Sequence, residues 1–320
     1  QAPTDPYVFI AGEPAIMDQE TPIPGGTGTY LYKKTTYNGS FLTLKGVDIT
    51  GTSSGPARFI QFGKNGGYYT IQLEGENKIS GFSSGIVAPE DPGVNDVTVV
   101  LSGSGSLDIT ANQYAIDMQV GKLKFENTGT IRLTTGYNYY VNPLNALRVK
   151  TGNISIDNTK YVIVGARQEK NYPTETISDS SAFTPDLLNG YTVGEETTLF
   201  KTITITPAAA KDSTIRYDGK TLKQGETIKD GKGGTATVAT KGNTITLNNF
   251  KGTKALSFEA TLADSTLVLE GTNTLSSIVT TQKGLTISGS GSLTVGSIRV
   301  TNNDNISADL TINGGAHVTV

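Results

Sequence analysis

The phrase LEGEN at Leu73–Asn77 returns as LEGTN at Leu269–Asn273. Each copy is followed by a second shared phrase, LSGSGSL from Leu101 and ISGSGSL from Ile287. Aligned on an apolar-x-apolar pair, the chain yields nine such lines, beginning at Leu42, Ile71, Val99, Leu123, Ile154, Ile245, Leu267, Leu285 and Leu310. Two residues past the second apolar position stands Gly46, Gly75, Gly103, Asn127, Asn158, Asn249, Gly271, Gly289 or Gly314. Gly and Asn tolerate a left-handed backbone at least cost, so a bend is expected at one fixed phase after each short strand. Alternate side chains of such a strand point to one side.

Successive lines begin roughly 20–30 residues apart, the period of a solenoid. Strand patterning without helical periodicity then predicts an all-β chain of two tandem parallel β-helix units. Pairs such as Leu42/Leu44, Ile71/Leu73 and Leu285/Ile287 would face inward and stack into apolar columns. An antiparallel sandwich would instead require hairpin loops of about two to five residues, which the spacing does not offer.

The duplication reaches upstream. QETPIPGGTGTYLY (Gln19–Tyr32) matches GETIKDGKGGTATVA (Gly225–Ala239), with Gly25-Gly26-Thr27 on Gly233-Gly234-Thr235. The predicted division is a first unit with an N-terminal cap over residues 1–170, a connector or cap over 171–212, and a second unit over 213–320. The middle stretch, rich in Pro, Ser and Thr, is either a linker or a cover for the first solenoid's open edge.

Composition agrees and narrows function. Only 36% of residues are hydrophobic and 17% charged, while Gly numbers 38, as suits short strands and tight turns. A net charge of −3 gives no support to nucleic-acid binding. No apolar run approaches the ~20 residues of a membrane span, and the start at Gln1 is not a signal peptide but suits a trimmed mature form, whose precursor could carry a lipid anchor. The absence of Cys removes thiol chemistry and Cys-based metal sites.

Catalytic sets are incomplete, so no catalytic residue is assigned. A glycan hydrolase needs paired carboxylates, and Ser-His-Asp catalysis needs a usable His; the single His317 lies near the end and is expected on the surface. The GSGS turns at Gly103–Ser106 and Gly289–Ser292 lack a phosphate-loop Lys. Glu90, Asp91 and Asp96 form the densest acidic loop and are the candidate calcium ligands; a calcium-dependent lyase would use them with a basic residue. Glu74 and Glu270 are a duplicated carboxylate beside the bend. Tyr68, Tyr69, Tyr137, Tyr139 and Tyr140, with Asn138, are the candidate carbohydrate platform, since a tyrosine ring stacks on a sugar face and its hydroxyl bonds to it.

The lines ITLNNFKGT, LVLEGTNTLS, LTISGSGSLTV and LTINGGAHVTV, with the lead-in DGKTLKQGETIKDGKGGTATV, resemble exported bacterial β-helix proteins of the carbohydrate-binding-domain-containing kind. The likeness covers residues 214–320 well and 7–165 more loosely. It implies a right-handed parallel β-helix akin to polysaccharide lyases, a polysaccharide partner, a bacterial cell-surface or secreted location and, in some members, calcium. The function expected is non-catalytic polysaccharide binding, with the lyase and a purely structural adhesin as rivals.

Overall fold

The computed structural model describes residues 2–35, 39–63, 67–88, 97–136, 144–167, 175–176, 184–193, 196–301 and 308–320. The protein is all-β; among the described residues the single helical element is a 3-10 turn at Pro185–Asn189. The chain divides into two compact units, Gln1–Ala208 and Ala209–Val320.

Each unit opens the same way. A hairpin turns on two left-handed residues, Ala11–Gly12 in the first unit (φ 48° and 83°) and Asp218–Gly219 in the second (φ 53° and 74°). A short antiparallel set follows: Glu20–Pro22, Thr27–Lys34 and Gly39–Thr50 in the first, Thr227–Lys229, Thr235–Val238 and Thr244–Asn248 in the second. The duplicated lead-in is thus a duplicated antiparallel start.

Beyond it, pairing between successive segments is parallel. In the first unit Leu42 pairs with Ile71, Ile71 with Leu101 and Leu101 with Phe125. After the bend, Ile49, Ile79, Ile109 and Leu133 form a second row, and Ile60, Ile86, Ile116 and Leu147 a third. In the second unit the rows are Ile245–Leu267–Ile287–Ile312, Asn273–Leu293–Val318 and Leu256–Ile278–Ile298. Every first-unit residue of these rows is at most 4% exposed, which makes them that unit's core. Parallel strands suit this because each backbone group meets its partner in the next segment while like side chains stack.

The register departs from a single bend phase. Gly46 lies level with Gly75, but Gly103 faces Leu73, and it is Gly105 that lies above Gly75. The second unit repeats the offset, with Gly289 opposite Leu269. The GSGS phrase is therefore a bend of the same length as that of LEGEN, with Gly103 in the place of Leu73 and Gly105 in the place of Gly75. Of the nine predicted bend residues, Asn127 and Asn158 do not take a positive φ. Asn127 instead donates its side-chain amide to the Gly129 carbonyl (2.7 Å), closing the turn without a left-handed residue.

The strand Phe200–Pro207 runs antiparallel to Ile131–Thr135 and to Tyr161–Arg167, burying Phe200, Ile203 and Ile205. It is inserted in the sheet between these two strands and belongs to the first unit.

Candidate functional site

The repeated phrases resolve into structural roles. Asn77 is 1% exposed. Its Oδ1 accepts from the Val47 amide in the preceding segment (3.0 Å), and its Nδ2 donates to the Glu74 carbonyl (3.2 Å) and to the Ser106 carbonyl of the following one (3.1 Å). Asn273 does the same with the Phe250 amide (2.8 Å), the Glu270 carbonyl (3.0 Å) and the Ser292 carbonyl (3.2 Å). One side chain thereby satisfies backbone groups on three successive segments, which only a primary amide, both donor and acceptor, can do. The last letter of LEGxN carries this role, and its repetition at a fixed distance from the glycine was the sequence signal for it. In GSGS, a Cβ on Gly103 or Gly289 would strike the backbone of Leu73 or Leu269, and both glycines sit at positive φ (92° and 102°). Close approach of two backbones, with no phosphate cradle, accounts for these residues.

The duplicated carboxylates lie outside the stack. Glu74 is 3.9 Å from Lys45, which also bridges Glu20 at 3.1 Å. Glu270 accepts from Asn248 Nδ2 at 3.0 Å. His317 is exposed on the last strand. Glu90, Asp91 and Asp96, like Tyr137, Asn138, Tyr139 and Tyr140, lie outside the described residues. Among the described residues no three His, Cys, Asp or Glu side chains form a group fit for a metal ion.

The two remaining tyrosines separate by strand alternation. Both lie on Gly67–Glu74, within the sheet. Tyr69 turns inward, 6% exposed, its ring centroid 4.4 Å from that of Phe62; burial pushes its pKa up to about 12. Tyr68 turns outward and is 45% exposed. One strand away Phe41, 44% exposed, shares that outer face. Because Tyr68 pairs with Gly39 and Phe41 with Thr70, the two rings lie diagonally, their Cα atoms roughly 8 Å apart. Val100 continues the Phe41–Thr70 row and points outward too, yet it is only 1% exposed, so its outer-face neighbours cover it.

Polar groups surround this apolar strip. Thr98 and Lys122 extend the Tyr68 row, and Lys124 extends the Val100 row. Lys124 is ion-paired with Glu126 at 2.5 Å; that hydrogen bond is the main cause holding its pKa up, with Tyr68 a lesser one. Gln72 and Ser102 lie in the next row. Phe41 carried no signal of its own in the sequence. Its exposure follows from the register, because Leu42 and Leu44 take the inward positions.

A second cluster is buried. The Asp5 carboxylate accepts from the Tyr32 hydroxyl (2.7 Å), Lys34 Nζ (2.8 Å) and the Tyr7 amide (2.9 Å). Burial raises the Asp5 pKa, but the hydrogen bonds from Lys34, Tyr32 and Tyr7 outweigh it and hold the pKa below the ordinary carboxylate value. Burial likewise drives the Tyr32 hydroxyl well above its usual range. The cluster is a neutral phenol and a carboxylate locked together, which suits anchoring of the first hairpin rather than proton transfer at neutral pH.

No protein-family model matches the chain, and no curated protein or solved structure does so.

Proposed function

We propose that each unit is a right-handed parallel β-helix and that the first is a non-catalytic polysaccharide-binding surface. The observation that supports this most is the outward pair Phe41 and Tyr68 on a sheet face that also carries Thr, Gln, Ser and Lys. Exposed rings set among hydrogen-bonding side chains present an apolar platform to a sugar's C–H face and polar partners to its hydroxyls. The stacked strands give a long regular surface along which a polymer can lie. The resemblance to exported carbohydrate-binding β-helix proteins supports the same reading and a place at the bacterial cell surface or outside it.

Calcium enters this reading through Glu90, Asp91 and Asp96. Binding measured with calcium and again with a chelator tests that part on its own. The main test is retention on immobilised plant, host and bacterial glycans. Wild type is expected to be retained on at least one of them. Phe41→Ala with Tyr68→Ala is expected to lose that retention while the thermal transition stays in place. Absence of retention on every glycan, or retention indifferent to both substitutions, would refute the reading. Release of unsaturated product from polygalacturonate, followed by ultraviolet absorbance, would replace it with a lyase.

A further inference from the structure

The first unit has a second outward feature, on the sheet formed by Thr4–Ile10, Arg58–Phe62, Ser84–Ala88, Tyr114–Met118 and Leu147–Val149. There Phe9, Gly12, Pro56, Ala57, Arg58 and Gln61 line a groove of about 280 Å³. Phe9 and Gln61 are direct cross-strand partners, so ring and amide stand side by side on the groove floor. Pro56 and Ala57 end the loop leading into the next strand and form an apolar wall. Gly12 allows this wall to close in, since a Cβ there would lie 2.9 Å from Pro56 Cβ.

Arg58 and Gln61 are half-buried, and neither makes a side-chain hydrogen bond or ion pair with another described residue. Along the same sheet the contrast is plain. Arg148 is spent on Asp117 through two bonds of 2.8 and 2.7 Å, and it stacks 4.1 Å over the Tyr114 ring. A guanidinium is always charged and its fork matches a carboxylate. An unspent one at the edge of an apolar groove is complementary to an anion carried on an apolar body.

We propose that this groove binds a carboxylate attached to a ring with an apolar face. The ring lies on Phe9 against Pro56, the carboxylate takes the Arg58 fork, and Gln61 bonds to a neighbouring polar group. The groove's volume limits the occupant to about one ring. Sugar acids and aromatic acids share this chemistry. The site lies on a different sheet from Tyr68, so it stands or falls separately from the glycan surface.

The experiment follows the Gln61 side-chain amide by NMR in the full chain, titrated with glucuronate and with benzoate. Glucose and benzyl alcohol serve as neutral counterparts. A saturable shift at millimolar concentration is expected with at least one acid, weakened about tenfold or more in its neutral counterpart. Response to glucuronate alone assigns a sugar acid, response to benzoate alone an aromatic acid, and response to both the shared ring carboxylate. Arg58→Met is expected to abolish the shift and Arg58→Lys to keep part of it, the latter guarding against loss of folding in the former. Tyr68→Ala is expected to leave it unchanged. Silence toward both acids, equal response to the neutral compounds, or indifference to both Arg58 variants would overturn the proposal.

Discussion

The two units share a scaffold down to single hydrogen bonds, yet they differ in what they present outward. Aligned on Gly46 and Asn249, Phe41 of the first unit corresponds to Thr244 of the second; aligned on Gly75 and Gly271, Tyr68 corresponds to Asp264. The second unit's outer face carries Thr244, Thr246, Thr266 and Val268, without an aromatic ring. The starts differ as well. The first unit buries Asp5 against Tyr32 and Lys34, whereas the matching hairpin strand of the second leaves Asp212 on the surface against Lys223 at 2.5 Å. What was kept in both copies is what stacking requires, and what diverged lies where stacking makes no demand.

The largest effects should fall on the shared scaffold, equally in both units. Gly103→Ala and Gly289→Ala each drive a Cβ into the neighbouring backbone at a positive φ. Each is expected to cost about 3–5 kcal/mol, read as an early urea transition confined to the unit that carries the change. A loss in one copy only would break the equivalence of the units. Next come Asn77→Ala and Asn273→Ala, which strand a buried amide and remove the link across three segments. About 2–3 kcal/mol is expected for each, from the same denaturation experiment.

A smaller effect depends on pH. Asp5 has a folded pKa below its ordinary value of 3.8, so its contribution is complete above that value and disappears as pH falls through the folded pKa. Acid titration of wild type should therefore show the first unit losing stability below about pH 4. Asp5→Asn should cost about 2 kcal/mol at neutral pH and remove that acid-dependent component, leaving the second unit unaffected.

The smallest effect sharpens the functional contrast. Tyr68→Ala alone should weaken glycan retention about tenfold, or roughly 1.4 kcal/mol, with no change in stability. Substituting Thr244 and Thr266 by Ala on the corresponding face of the second unit should change neither.

The order of the parallel pairings is legible in the sequence because each segment repeats one local requirement, alternating aliphatics closed by a bend. Where a bend is bracketed by two glycines, as in GSGS, the local pattern reads the same as in LEGEN. The two-residue shift is invisible there because only the neighbouring segment distinguishes Gly103 from Gly105. Of the two outward rings, Phe41 is not legible in the sequence, since a lone aromatic before Leu42 is indistinguishable from a core residue until the register assigns it a face. Tyr68 and Tyr69 are neighbours in sequence, but the strand sends their side chains to opposite sides.

Composition and repetition by themselves determined that the chain is all-β, duplicated, and built from short strands with Gly and Asn at the bends. These are properties of individual segments, and the backbone preferences of a few residue types suffice to express them. Which strand lies level with which, that Asn77 and Asn273 join three segments, and which rings and cations reach solvent were decided only in the folded units. Register and exposure are relations between segments distant in the chain, and packing sets them.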